Sequence, residues 1–96
     1  MILKLSPQRR DDTLALLKSG DALTVNGTVY DFSSLPDGAT LPKDAIGCEW
    51  ICEDVERVNG ELVIPILLPH GPDASEAARF PEPMAVTIDG EVVLPE

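Results

Sequence analysis

Three two-residue turn signals constrain the fold of this chain more than any other feature. Asn26-Gly27, Asn59-Gly60 and Asp89-Gly90 each stand between runs rich in apolar and β-branched residues. Asn and Asp beside Gly accept the positive φ angles of a type I′ turn, whose twist matches that of two paired strands. The pattern therefore predicts three β-hairpins, and in the first of them Leu23 lies opposite Tyr30.

The other two hairpins follow the same rule. The predicted register of the second consists of the pairs Val58–Glu61, Val55–Ile64 and Ile51–Leu68, with a bulge near residues 53–54 to reconcile a change of phase. Pro65 cannot donate to a ladder, so we expect it at a sheet edge or at a bulge. The third hairpin joins residues 85–88 to residues 91–94 and ends the chain.

The remaining segments give weaker signals. Residues 2–5 read as a short opening strand, and residues 42–46 fit a single helical turn. Residues 12–20 fit either a helix that ends at Gly20 or a strand that turns directly into the first hairpin. The strand is favoured because the neighbouring signals are all β.

The composition supports a small β fold. The chain has 96 residues, of which 44% are hydrophobic, and its nine Pro and seven Gly favour short strands over long helices. We predict one all-β domain over residues 1–96, an antiparallel sandwich or partly open barrel of about six to seven strands.

The charge of the chain is strongly acidic and unevenly distributed. The net charge is −10, and residues 49–96 carry eleven acidic but only two basic side chains. Direct binding to nucleic acid or to an anionic membrane is therefore unfavourable. One alternative use of this charge is mimicry of DNA, in which acidic side chains occupy the groove of a nucleic-acid-binding host protein. With no signal-peptide pattern and no apolar run of spanning length, the expected location is the cytoplasm.

Residues with the chemistry for catalysis or metal binding are few. Cys48, Cys52 and His70 are the only soft ligands, and a zinc site usually needs four. No Gly-x-Ser-x-Gly or comparable nucleophile motif accompanies His70. Acids crowd around Trp50, but without the spacing of a calcium loop. We predict no enzyme activity, no metal, no cofactor and no small-molecule substrate.

The long connection at residues 69–83 is the main candidate for contacts with a protein partner. The candidate contact residues are His70, Phe80, Pro81 and Glu82. Phe80 lies in an extended segment bounded by prolines. Exposed, it would be an anchor for the partner; buried, it would cover the open end of the core. The buried arrangement is favoured, because aromatic residues make up only 4% of the chain and a core needs them.

Short motifs distributed along nearly the whole chain resemble one family. They are Leu5-Ser6-Pro7, Val25-Asn26-Gly27, Asp31-Phe32, Leu35-Pro36, Leu41-Pro42, Trp50, Leu68-Pro69-His70-Gly71 and Phe80-Pro81. The chain is similar to small uncharacterised proteins encoded in temperate phages and prophages of proteobacteria, near tail and tail-fibre genes. The resemblance implies a genomic setting among tail genes. Because the chain also has no catalytic motif, we predict a non-catalytic accessory protein that acts through protein contacts around tail assembly. Its partner would be a tail component or a second copy of itself, and association with the virion is the alternative location.

Overall fold

The computed structural model describes residues 1–95, and its secondary structure is mainly β. Within that range nine strands and two helices of one turn each follow one another. The strands are β1 (Ile2–Arg9), β2 (Leu16–Ser19), β3 (Ala22–Val25), β4 (Thr28–Asp31), β5 (Thr40–Leu41), β6 (Val55–Val58), β7 (Glu61–His70), β8 (Met84–Ala85) and β9 (Gly90–Glu91). The helices are α1 (Lys43–Ile46) and α2 (Glu76–Arg79). The prediction of a small β-rich fold is confirmed.

The strands form two sheets. The large sheet has the order β5-β6-β7-β1-β8, and the small sheet has the order β4-β3-β2-β9. Three of the nine strands described in residues 1–95 are only two residues long. Such short strands leave no periodic pattern, which explains why the sequence predicted a smaller number. Neither helix of the described range is long and apolar enough to cross a membrane.

The centre of the large sheet is a parallel pair, although all the other strand pairs described in residues 1–95 are antiparallel. β1 runs alongside β7, from Ile2 opposite Val63 to Arg9 opposite His70. The hairpin signals could not indicate this pairing, because parallel strands must be joined by a long connection. β1 also extends beyond the predicted residues 2–5.

The first two hairpins are confirmed. Asn26 and Gly27 have φ angles of 48° and 87°, and Asn59 and Gly60 have φ angles of 51° and 79°. Both residues of each pair therefore adopt the left-handed conformation that a type I′ turn needs. In the first hairpin Leu23 lies opposite Tyr30, as predicted.

The predicted third hairpin is wrong. β8 pairs with β1 in the large sheet, whereas β9 pairs with β2 in the small sheet, so the segment around Asp89 passes from one sheet to the other. Its flanks find partners far away in sequence, since Val86 N donates to Met1 O and Val92 N donates to Leu16 O. The Asp89 carboxylate is used differently as well: Oδ1 accepts from Lys18 Nζ at 2.9 Å and from the backbone N–H of Gly20 at 3.0 Å.

The second hairpin departs from its predicted register at its far end. Val58 lies opposite Glu61 as predicted, but Ile51 lies opposite Ile66 and not Leu68. The chain between Ile51 and Val55 is therefore two residues longer than the segment of β7 that it faces. The irregularity faces Pro65, which has no N–H to donate, and this accords with the predicted bulge.

The open alternatives for the weaker segments are resolved in favour of a strand and a turn. Residues 12–20 contain β2 and not a helix, and β2 turns into β3 at once. The segment before β2 is held by Asn26, whose Oδ1 accepts from Ala15 N and whose Nδ2 donates to Thr13 O. The predicted turn at residues 42–46 is α1, which Gly47 ends with a φ of 71°.

Both sheets contribute to one hydrophobic core. Its buried side chains from the strands are Leu3, Leu5, Val55, Leu62, Ile64, Ile66 and Leu68 of the large sheet and Leu16, Leu23 and Val25 of the small sheet. The aromatic residues Phe32 and Trp50 complete this core, with exposed fractions of 3% and 5%. Burial on this scale is the main source of stability in a domain of this size.

Arg57 links the two sheets by hydrogen bonds at the edge of the core. It projects from β6 of the large sheet, and its Nε donates to Leu35 O at 2.7 Å. One terminal nitrogen donates to Phe32 O and to Asp21 Oδ2, both at 3.2 Å. Its side chain is only 12% exposed, so these charge-assisted bonds satisfy carbonyl groups that have limited access to water.

Candidate protein-interaction site

Phe80 lies on the surface, so the favoured prediction of a buried Phe80 is wrong. Its exposed fraction is 71%. Ser75 caps the N-terminus of α2 by accepting from Ala78 N, and Ala78 is the residue that α2 buries. Phe80 follows two residues later, at the end of the helical turn, and its side chain is exposed there. Pro81 prevents the helix from continuing through Phe80.

An open cleft lies beside Phe80. This Phe80 cleft has a volume of about 750 Å³ and is lined by Glu76, Ala77, Phe80, Glu82, Pro83, Met84, Val93, Leu94 and Pro95. Val93 is 77% exposed, so two large apolar side chains stand in water at one place on the molecule. Because the cleft is open and its lining residues Phe80 and Val93 are mostly exposed, a small molecule would stay largely uncovered there.

The charged side chains that line the Phe80 cleft are acidic. Glu76 and Glu82 both line it and are exposed, and the guanidinium of Arg79 lies 5.8 Å from the centre of the Phe80 ring. Protein-binding surfaces commonly combine apolar and charged side chains in this way. The negative charge of the two carboxylates favours a partner with basic side chains.

The four predicted contact residues do not form one cluster. Phe80 and Glu82 line the same cleft, and the half-buried Pro81 is joined to both through the backbone. His70, at the end of β7, lines a different cleft of about 530 Å³ together with residues 10–16. Residues 93–95 line both clefts, so the two are neighbours on the surface.

The His70 cleft is organised by internal contacts. His70 Nδ1 lies 3.0 Å from Gly71 O. Arg10 donates to both oxygens of Asp12, at 2.8 and 2.6 Å, and this bidentate bond holds the pKa of the Asp12 carboxyl below its ordinary value. The same guanidinium lies over the Trp50 ring, 4.3 Å from its centre. Arg10 is thus already paired with an acid and an aromatic ring.

Sequence reasoning missed the second half of the Phe80 cleft. The sequence places Val93 and Leu94 in the predicted third hairpin and Met84 and Pro95 beside it, whereas the structure brings all four to the Phe80 cleft. The sequence signal for this half of the cleft is the apolar run Val92–Leu94 after Asp89-Gly90. A short strand with one buried face needs an apolar residue only at every second position, so this run contains more apolar residues than such a strand requires. It could not be interpreted without knowing that β9 ends at Glu91.

The cysteines and the acids near Trp50 lie apart from this cleft. Cys48 is buried and Cys52 is half-buried, and both are free thiols. Asp54 has a structural role, because its Oδ1 accepts a hydrogen bond from the backbone N–H of Lys43 at 2.7 Å. Among residues 1–95, no three His, Cys, Asp or Glu side chains converge as metal ligands would. That the protein has no metal, cofactor or catalytic activity stays a prediction.

Comparisons with protein-family models, with curated protein sequences and with solved structures found no match to this chain.

Proposed function

We propose that this protein is a non-catalytic binding module that holds a protein partner at the Phe80 cleft. The observation that carries the proposal is the exposure of Phe80, at 71%, next to Val93, at 77%. Leaving two large apolar side chains in water at one place is unfavourable for an isolated domain. Covering Phe80 alone would remove about 140 Å² of apolar surface from water. That area corresponds to about 3.5 kcal/mol before the entropy lost on association is counted.

The chemistry of the cleft defines the partner. Glu76 and Glu82 line the cleft together with apolar side chains, and residues 49–96 carry eleven acids against two bases. A segment that places one or two apolar side chains between lysine or arginine residues complements both features. The resemblance to small proteins encoded near phage tail genes supports a tail or tail-fibre component as that partner. The two sheets with a common core support a sandwich as the scaffold.

The test is a binding assay with purified phage particles and with separated tail components. F80A should weaken binding about 30-fold or more, as expected for an aromatic residue at the centre of an interface. I88A is the matched control: Ile88 is a large apolar residue that is 80% exposed but does not line the cleft. This variant should bind like the wild type.

Two results would contradict the proposal. Equal binding by F80A and wild-type protein would remove the cleft from the interface. The DNA-mimic alternative would instead be supported if the protein captured a nucleic-acid-binding host protein in a complex that dissociates at moderate salt and that still forms with F80A.

A further inference from the structure

One strand of the small sheet has an edge that is unusually open. The described residues contain four edge strands, and β5, β8 and β9 have only two residues each. β4 is the exception, with the four residues Thr28–Asp31 and neither Pro nor Lys among them. Proteins commonly protect sheet edges with very short strands, prolines or lysines, so β4 lacks three of the usual protections.

The hydrogen-bond pattern identifies which backbone groups of β4 are free. Phe32 N donates to Asp21 O at 3.0 Å, which makes these two residues a hydrogen-bonded pair of the β3–β4 ladder. Bonded and non-bonded pairs alternate along an antiparallel ladder, so Tyr30 and Thr28 also bond to β3. The N–H and C=O groups of Val29 and Asp31 therefore point away from β3, toward the open edge.

We propose that β4 pairs antiparallel with β4 of a second copy of this chain, with Val29 opposite Asp31 of that copy. A two-fold axis perpendicular to the sheet leaves each side chain and its symmetry mate on the same face of the sheet. Residues that face each other must also share a face, so the axis lies between the two copies of a single residue. An axis beside Tyr30 lets all four free groups of Val29 and Asp31 bond to the second copy. An axis beside Val29 would use the Val29 groups but would place Asp31 opposite the turn residue Gly27.

Two further observations favour a second copy as the occupant. Val29 is 63% exposed on the outer face and forms a cross-strand row with Thr24 and the 48% exposed Leu17, so pairing would cover apolar surface. The charge also permits it, because the proposed register places Asp31, the one acid of β4, opposite the neutral Val29 of the other copy. No like charges of β4 then face each other across the edge. Since β4 is short, the interface is small, and we expect the dissociation constant of the dimer to be micromolar.

The first experiment measures dimer formation by sedimentation equilibrium from low micromolar to about 1 mM protein. V29P removes the outward N–H without touching a bond to β3, and it should raise the dissociation constant about 10-fold or more. V29T keeps the N–H and should dimerise like the wild type. Circular dichroism checks that both variants are folded. A wild-type chain that stays monomeric up to 1 mM, or a folded V29P that dimerises normally, would overturn the proposal.

A charge exchange tests the register even if V29P does not fold. V29E places a second carboxylate opposite Asp31 of the other copy and should weaken the dimer about 5-fold or more. The double variant V29E/D31K turns that repulsion into an attraction and should restore the wild-type dissociation constant. An axis beside Val29 would instead oppose Glu to Glu, so failure of this rescue would overturn the proposed pairing.

The dimer is independent of the proposed function. β4 and β9 are the two opposite edges of the small sheet, and Val93 of the Phe80 cleft follows β9. F80A should therefore leave the dissociation constant of the dimer unchanged. V29P should leave the binding of one partner molecule per chain unchanged, so that either idea can fail alone.

Discussion

Removal of the Arg57 side chain should destabilise the protein more than any other single substitution of a charged residue. Arg57 donates part-buried bonds to Leu35 O and Phe32 O and an exposed one to Asp21. Each part-buried bond is worth about 1 kcal/mol or more, because R57A leaves a carbonyl with limited access to water. The loss of packing around the apolar stem adds to this. We expect R57A to lower the free energy of unfolding by about 2–4 kcal/mol.

That loss is large for a chain of this size. A domain of 96 residues has a total stability of about 5–14 kcal/mol, and 1 kcal/mol shifts its Tm by about 4–8 °C. The expected decrease in Tm for R57A is therefore about 8–32 °C. Urea unfolding followed by far-ultraviolet circular dichroism measures the free energy, and calorimetry measures Tm.

The matched control separates the carbonyl bonds from the ion pair. D21N removes the charge that faces Arg57 but leaves the bonds to Leu35 and Phe32 in place. Asp21 is 45% exposed, so this change should cost less than about 1 kcal/mol. R57K keeps the charge but cannot reproduce the fork, and it should fall between the two. A free energy of unfolding for R57A within 1 kcal/mol of the wild type, or a loss for D21N as large as that for R57A, would contradict this role of the Arg57 bonds.

Three further substitutions test other local features. N26G keeps the left-handed turn but removes the side-chain bonds to residues 13–15, so it should lower the free energy of unfolding in urea by about 1 kcal/mol. The control N59G changes the equivalent turn residue of the second hairpin and should be close to neutral, and equal effects of the two variants would contradict this. Lys18 and the Gly20 N–H lower the pKa of Asp89 from 3.8, so its stabilising effect is present above that pH and is lost as the pH falls through the lowered pKa. Acid titration of stability should therefore be flatter for D89N than for the wild type, and identical profiles would contradict the pairing. The neighbouring Cys48 thiol and burial raise the pKa of Tyr30 above 10.0. Tyr30 is the one tyrosine of the sequence, so its titration can be followed by ultraviolet absorbance. C48A should move the midpoint back toward 10.0, and an unchanged midpoint would show that Cys48 does not raise this pKa.

The structural features that sequence reasoning predicted depend on neighbouring residues. Asn26-Gly27 and Asn59-Gly60 specify their own backbone conformation, and a two-residue loop fixes the register of the strands beside it. The helical turn after Pro42 and its end at Gly47 are equally local. In each case the residues that determine the structure lie within a few positions of it.

The features that could not be predicted depend on distant residues. Asp89-Gly90 has the same local chemistry as the two true turns, but its flanks bond to Met1 and Leu16 and so belong to different sheets. Ile51 lies opposite Ile66 and not Leu68 because the chain between Ile51 and Val55 is two residues longer than the segment of β7 that it faces. Neither result follows from spacing alone, because each requires knowing which strand comes to lie alongside.

The candidate site was predicted in part for the same reason. The segment containing Phe80 and Glu82 was singled out as a long connection between proline residues. The burial of Phe80 was predicted from the scarcity of aromatic residues, but Phe32 and Trp50 already fill the core. Val93 was missed because it becomes part of the cleft only through the crossing of the chain between the two sheets.

The parallel pairing of β1 with β7 has a consequence for synthesis on the ribosome. β1 is translated before β7, the strand with which it pairs, and β7 ends only at His70. β1 therefore has no partner strand while residues 10–60 are being translated. The small hairpin of β3 and β4 can close as soon as it emerges, because its contacts are local. Formation of the large sheet is therefore a late event, and until then the apolar side chains of β1 are open to chaperones and to aggregation.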